Sequence, residues 1–274
     1  MIKRVIRFVL RNLRKIYGKL KDIAKLVSLL PELYRIYINN SKSTYKYNYQ
    51  LRYLVDELLK VSIWYSNFLG LIDFWKHDSE FNSIFDEASK ARGNYVTRCF
   101  MLYQFLKLTD RLKGDVAEVG VYKGRTAKVL ALTSEKLDKN VHLFDTFSGM
   151  PETDSSKDNF YKKGSFGDTS LSEVEGFLSD CSNISIYPGF FPETSKPVEK
   201  MSFSFVHVDV DIYRSVLDCC EFFYPRMVKN GVMIFDDPGF EVCDGARAAV
   251  NEFFYNKRDC PVYLPTGQVF FIKI

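Results

Sequence analysis

The ten residues Asp115-Val-Ala-Glu-Val-Gly-Val-Tyr-Lys-Gly124 constrain the fold more than any other stretch of the chain. An apolar strand runs through Glu118-x-Gly120-x-x-x-Gly124 straight into a helix, the kind of strand-to-helix crossing at which open α/β sheets hold nucleotides. The glycines leave no Cβ to obstruct a bound adenosyl group. The spacing differs from Gly-x-Gly-x-x-Gly, whose glycines and helix N-terminus are arranged around a pyrophosphate. An acid in place of the first glycine suits a cationic ligand, and S-adenosylmethionine carries a sulfonium and an ammonium group. Glycine-rich turns of this type also occur with no ligand, so the motif takes its meaning from the strands downstream of it.

Val141-His-Leu-Phe-Asp145 reads as a second short apolar strand ending in an acid, at the place where such sheets put a carboxylate for ribose hydroxyls. Phe203-Ser-Phe-Val-His-Val-Asp209-Val-Asp211 delivers two acids to the carboxyl end of a third strand, and Gly231-Val-Met-Ile-Phe-Asp236-Asp237 ends a fourth in two more. Charges at the ends of buried strands are costly unless they meet a cation or a ligand. A single Asp there could cap the following helix; four acids on two strand tips are poorly explained that way. Carboxylate oxygens unaccompanied by His or Cys favour Mg²⁺ over zinc.

Alternating strands and helices predict a largely parallel sheet covered by helices on both faces. The clearest strands are predicted at 115–120, 141–145, 184–187, 203–209, 231–236 and 268–273, with a shorter one near 261–264. A helix over Asn94–Leu108 should lead into the first of them. The polar run from Met150 to Thr169 interrupts the alternation, and a long loop beside a ligand site reads either as a lid or as plain surface.

The chain resembles the macrocin-type sugar O-methyltransferases that tailor macrolide and aminocoumarin antibiotics, with relatives in polysaccharide gene clusters. The matching blocks are Glu118-Val-Gly-Val-Tyr-Lys-Gly124, Phe144-Asp-Thr-Phe-Ser-Gly-Met-Pro151, Gly189-Phe-Phe-Pro-Glu-Thr194, Phe205-Val-His-Val-Asp-Val-Asp-Ile-Tyr213, Phe222-Phe-Tyr-Pro225, and Phe235-Asp-Asp237 followed by Gly245-Ala246. They cover the chain from about Gly114 onward. The resemblance implies a class I methyltransferase fold, with a Rossmann-like, mostly parallel seven-stranded sheet, and a divalent metal, Mg²⁺ or another. S-adenosylmethionine is the implied methyl donor, with contacts expected from Glu118, Gly120, Tyr122, Gly124 and Thr126 in the first turn and from Asp145, Thr146 and Gly149 after the second strand. By the same resemblance the metal ligands fall on Asp209, Asp236 and Asp237, and Asp211 is the general base.

A neutral sugar hydroxyl is a poor nucleophile, so its proton must be removed as the methyl group arrives. A bound Mg²⁺ would lower its pKa, and a carboxylate within reach would take the proton. In extended chain Asp211 and Asp209 project from the same face. Related catechol-type enzymes use a lysine three residues after the first metal Asp; here that position is Ile212. His207 shares the pleat face of Asp209 and is the other candidate base, although a strand-interior His is commonly a hydrogen-bonded core residue. A rival reading takes Asp209-x-Asp211 as the Asp-x-Asp pair of a nucleotide-sugar glycosyltransferase, which would have no use for Glu118-x-Gly-x-x-x-Gly124. A non-catalytic membrane-associated scaffold with this fold is the other rival.

The 274 residues, 46% of them hydrophobic, can bury a full core. Six cysteines without a Cys-x-x-Cys and only three histidines speak against zinc sites and disulfide frameworks, and predict a reduced, cytoplasmic setting. Residues 1–25 hold nine Lys or Arg against the single acid Asp22, in a chain whose net charge is +4. On a helix, Ile2, Val5, Ile6, Val9, Leu13, Ile16, Leu20 and Ile23 share one face, with most basic residues opposite. Arg7 and Arg11 break any apolar run long enough to span a bilayer. Such a helix suits peripheral contact with an anionic membrane, or packing on the enzyme or on a second subunit of a homo-oligomer. The rest of the chain shows no nucleic-acid-binding pattern. Residues 26–108 read as a helical extension, with a Tyr-rich link at 41–49 and an aromatic stretch over 51–74, leaving 109–274 as the catalytic domain. The acceptor is expected to be a small-molecule or glycan sugar.

Overall fold

This computed structural model describes residues 74–93 and 95–274. The basic segment 1–25, the link 41–49 and all but the last residue of the aromatic stretch lie outside the described residues. Residues 74–274 form one compact unit.

Seven strands make one sheet: β1 (Asp115–Val119), β2 (Val141–Asp145), β3 (Ile184–Pro188), β4 (Phe203–Val208), β5 (Met227–Phe235), β6 (Val262–Tyr263) and β7 (Val269–Ile272). Their order is β3-β2-β1-β4-β5-β7-β6. Strands β1 to β5 run parallel to one another, while β7 runs antiparallel between β5 and β6. The order reverses between β1 and β4, so the crevice outside their carboxyl ends is the natural ligand site.

Most strand limits agree with the sequence to within a residue. The exception is β5, which starts at Met227 rather than near 231. Met227 pairs with Phe203 and Val232 with Phe205, so three extra residues are accommodated on β5, with Asn230 at φ +66°. Periodicity cannot register a strand through such a bulge.

Among the described residues six α-helices flank the sheet: α1 (Ser79–Ala88), α2 (Val96–Leu108), α3 (Arg125–Glu135), α4 (Leu171–Phe177), α5 (Tyr213–Phe223) and α6 (Asp244–Phe254). Asp78 caps α1 by accepting from Phe81 N at 2.9 Å. Side chains alternate across the sheet and feed two cores. Val116, Leu143, Phe205 and Ile234 pack with Leu102, Leu106, Ala127, Leu130 and Val174 of α2, α3 and α4. Ala117, Phe144, Val206, Val208 and Phe235 pack with Val216, Phe223, Ala249 and Phe254 of α5 and α6. Helices α1 and α2 precede the boundary expected at 108/109, yet Phe81, Ile84 and Phe100 pack on Val129 of α3 within the same compact unit.

Candidate active site

Strand β1 ends where Gly120 N donates to Phe144 O on β2 at 2.9 Å. Gly120 has φ +91°, and a Cβ there would lie 1.8 Å from the Asp209 carbonyl oxygen. Gly124 has φ +86°, and its Cβ would meet Phe177 at 3.1 Å. These glycines make room for the neighbouring protein chain, which the ligand-clearance reading of the sequence did not foresee. Gly149 is similar: φ +89°, with the Gly164 and Ser165 carbonyls 2.8 Å from a built Cβ.

Asp145, the expected ribose acid, is held by the first turn. Its Oδ2 accepts from Val121 N at 2.7 Å and Tyr122 N at 2.8 Å, and Oδ1 accepts from Phe147 N at 2.7 Å. It therefore splices the ends of β1 and β2 together, leaving lone-pair capacity chiefly on Oδ1. Thr146 Oγ1 donates to Gly149 O at 2.7 Å and shapes the following turn. Thr126 is buried on α3. The Tyr122 hydroxyl donates to Asp168 at 2.8 Å.

Glu118 is completely buried. Its Oε1 lies 2.8 Å from His207 Nδ1, while Oε2 has no hydrogen-bond partner among the described residues. A buried carboxylate oxygen left unpaired is costly, and an ammonium-bearing ligand at this turn would satisfy it. That donor chemistry fits S-adenosylmethionine.

His207 continues the chain of contacts, with Nε2 3.5 Å from Asp236 Oδ1. Gln268 Nε2 donates to the same oxygen at 2.8 Å, and the Arg98 guanidinium pairs with Asp236 Oδ2. Burial opposes the imidazolium, but bonds to Asp236 and Glu118 prevail and raise its pKa to about 10. Facing a carboxylate from each nitrogen, the ring donates twice and keeps no lone pair for an acceptor's proton.

The four strand-tip acids divide in a way extended-chain reasoning misses. Strand β4 stops at Val208, and Asp211 takes φ +57° in a tight turn in which Ile212 N donates to Val210 O at 2.6 Å. Asp211 and Asp209 therefore do not share a face as the sequence suggested. Asp209 and Asp236 group with His207, while Asp211 and Asp237 group with Cys243, the potential ligand atoms of each group lying within 4.8 Å of one another. Asp236 and Asp237 follow the last residue of β5, Phe235, in a bend, and fall into different groups. The expected ligand set Asp209, Asp236 and Asp237 thus draws on both groups.

Electrostatics still joins the groups. Burial, then the charges of Asp236 and Asp237, pushes Asp209 well above the usual carboxylate range. Burial and the charges of Asp211 and Asp236 do the same to Asp237. Asp211 rises to about 8 through burial and the charges of Asp209 and Asp236. Burial would also raise Asp236, but Arg98, His207 and Gln268 outweigh it and hold that carboxyl low. So much crowded negative charge, carried on hard oxygen atoms, fits a divalent cation. Arg98 is the local counter-charge; its guanidinium stacks 4.2 Å above the Phe240 ring. Arg98, Gln268 and Cys243 had no signal in the sequence, since each arrives from a remote element.

The 150–169 loop is laid over this edge. Met150 N donates to Ser165 O at 2.8 Å and Gly164 N to Met150 O at 2.9 Å. Asp158 Oδ1 accepts from Tyr213 N at 2.9 Å, at the start of α5.

The sheet order, with its antiparallel β7, defines a class I methyltransferase fold. The chain belongs to the macrocin-O-methyltransferase (TylF) family, whose profile matches residues 106–262. It is 25% identical over 161 residues to a Streptomyces olivaceus 8-demethyl-8-(2,3-dimethoxy-alpha-L-rhamnosyl)-tetracenomycin-C 4'-O-methyltransferase, covering 53% of this chain and 60% of the relative. It is 23% identical over 157 residues to the Streptomyces niveus demethyldecarbamoylnovobiocin O-methyltransferase, covering 53% of this chain and 59% of that one. The match thus spans about 60% of the length of these curated relatives. Among solved structures, the O-methyltransferase NovP superposes with a TM-score of 0.57 at 22% identity, over 65% of this chain and 80% of its own. The calicheamicin methyltransferase CalS11 gives 0.59 at 15% identity, over 72% and 92%. This family and fold leave no support for the glycosyltransferase reading of Asp209-x-Asp211.

Proposed function

We propose that the protein is a metal-dependent O-methyltransferase that moves the methyl group of S-adenosylmethionine to a sugar hydroxyl. The observation that carries this reading is the buried, half-partnered Glu118 at the tip of β1 beside four carboxylates at the tips of β4 and β5. S-adenosylmethionine would supply the electrophilic methyl group, and Mg²⁺ held by Asp209, Asp236 and Asp237 would lower the pKa of the hydroxyl and fix its direction. Glu118 Oε2 would accept from the ammonium end of the donor, and Asp145 Oδ1 has capacity left for a ribose hydroxyl. Asp211, half-buried and outside the His207 chain, takes the acceptor's proton.

Calorimetry with S-adenosylmethionine and with a panel of nucleotide sugars tests the donor: binding of the former alone is expected. Methyl transfer to sugar acceptors should cease in excess EDTA and return with Mg²⁺; full activity in EDTA would dismiss the metal.

The same reading extends to where the acceptor is built. The nine basic residues within 1–25 suit docking on anionic lipid, at roughly 1 kcal/mol per basic residue near the surface. That favours an acceptor in cell-surface polysaccharide or glycolipid assembly over a freely diffusing natural product. Liposome co-sedimentation of full-length protein and of a chain starting at residue 26, at low and high salt, tests it. Equal sedimentation of the two forms would remove the membrane context, and a change from oligomer to monomer on truncation would favour subunit packing.

A further inference from the structure

Four aromatic rings form a continuous row along the loop that covers the sheet edge. Tyr122, in the first turn, meets Phe166 edge-on at 5.4 Å; Phe166 lies 5.4 Å from Tyr161, and Tyr161 is 5.0 Å from Phe160. Phe160 and Phe166 are 43% and 39% exposed. Phe166 also sits at φ +61°, a conformation bulky side chains avoid. Phe160 and Phe166 thus present two adjoining aromatic faces that a ligand could cover.

Two members of the row locate its occupant. Tyr122 lies in the turn that follows Glu118 and Gly120. Tyr161 packs against the core of α5 and α6, and its hydroxyl feels Asp211, Cys243, Asp237 and Asp209. An acceptor hydroxyl must lie between the methyl donor and the carboxylates, so the body of the acceptor must run along the line that joins them. Three of the four rings offer little hydrogen bonding: Phe160 and Phe166 have no polar side-chain group and the Tyr122 hydroxyl donates to Asp168, which leaves the Tyr161 hydroxyl at the acid side of the row. The row therefore suits the C–H face of a ring, with the ring's hydroxyls left to the acids.

We propose that Phe166 and Tyr161 form the wall on which the acceptor's pyranose ring stacks, making them specificity-determining residues of the site. This rests on the sugar O-methyltransferase reading above. The test uses full-length protein with S-adenosylhomocysteine, Mg²⁺ and methyl pyranosides of the rhamno, manno, gluco and galacto series, followed by saturation-transfer NMR and by methyl-transfer kinetics with S-adenosylmethionine. In the wild type, saturation should reach the ring C–H protons of at least one pyranoside. Phe166→Leu keeps the bulk and the backbone demand but loses the ring; it should weaken that transfer and raise the acceptor KM about five- to tenfold. Its kcat and its S-adenosylhomocysteine affinity should stay within about twofold, and Phe166→Trp should restore the KM. Unchanged acceptor KM in Phe166→Leu would overturn the proposal, as would a fall in kcat alone. A wild type that binds S-adenosylhomocysteine but no pyranoside would overturn it too. Failure to bind S-adenosylhomocysteine would instead strike the underlying function.

Discussion

His207 Nδ1 lies 2.8 Å from Glu118 Oε1 with both side chains fully buried, so the acid proposed for the methyl donor is anchored by a ring that also faces Asp236. Donor end and acid cluster are thereby parts of one buried chain of contacts. Removing His207 would strip the buried Glu118 Oε1 of its hydrogen-bond partner.

His207→Phe should accordingly destabilise the fold by about 3–5 kcal/mol, the usual cost of breaking a buried ion pair from one side. His207→Gln, which keeps a donor, should lose less. The pKa of about 10 in the folded chain, against 6.5 ordinarily, sets the pH dependence. A group with a raised folded pKa contributes fully below its unfolded pKa and loses that contribution as pH climbs through the folded one. Urea unfolding from pH 6.5 to 10 should show wild-type stability falling, and falling less steeply in His207→Gln. Parallel curves would refute the assignment.

Gly120→Ala should damage folding rather than cofactor binding alone. The new Cβ would press on the Asp209 backbone oxygen at a φ that alanine resists. Gly124→Ala meets only a ring edge and a left-handed backbone, so a loss of about 1 kcal/mol is expected. Thermal unfolding of the two variants without ligand distinguishes them; equal melting temperatures would be the wrong result.

If Asp211 is the base, kcat/KM at low Mg²⁺ should rise with pH through about 8, because the carboxyl must first lose its proton. Saturating Mg²⁺ favours the ionised form, so the midpoint should move to lower pH. Asp211→Asn should lower kcat by about 10²- to 10⁴-fold with S-adenosylhomocysteine affinity retained. A pH profile untouched by that substitution would exclude Asp211.

Arg98 pairs with Asp236 where a cation is expected, so it and Mg²⁺ answer the same excess of negative charge. Arg98→Met should lower the melting temperature of metal-free protein, and millimolar Mg²⁺ should recover more of it than Mg²⁺ adds to the wild type. Differential scanning fluorimetry with and without EDTA reads both. No difference in the Mg²⁺ response would show that the guanidinium and the cation act independently.

Apolar runs ending in Glu118, Asp145, Asp209 and Asp236 were legible from the sequence because burial and strand period act locally: a β-branched and aromatic stretch must be a core strand, and an acid at its end must be at an edge. The largely parallel sheet, the crevice and the residues gathered there are consequences of that pattern. The partition of the acids was not legible, because it turns on β4 ending at Val208 and on the left-handed Asp211, which pattern alone does not mark. Nor were the partners of Asp236: Arg98 stands 138 residues away in the chain and Gln268 stands 32 away, each on a different element. The sequence marked Gly120 as clearance for a ligand; the clearance it also gives the Asp209 carbonyl was not legible, since only the packed sheet brings that oxygen against it. Local chemistry therefore determined which groups reach the edge of the sheet. Tertiary packing decided which of them are neutralised by one another and which are left to meet a ligand, because a charge's partners depend on distances in space that the chain's order does not contain.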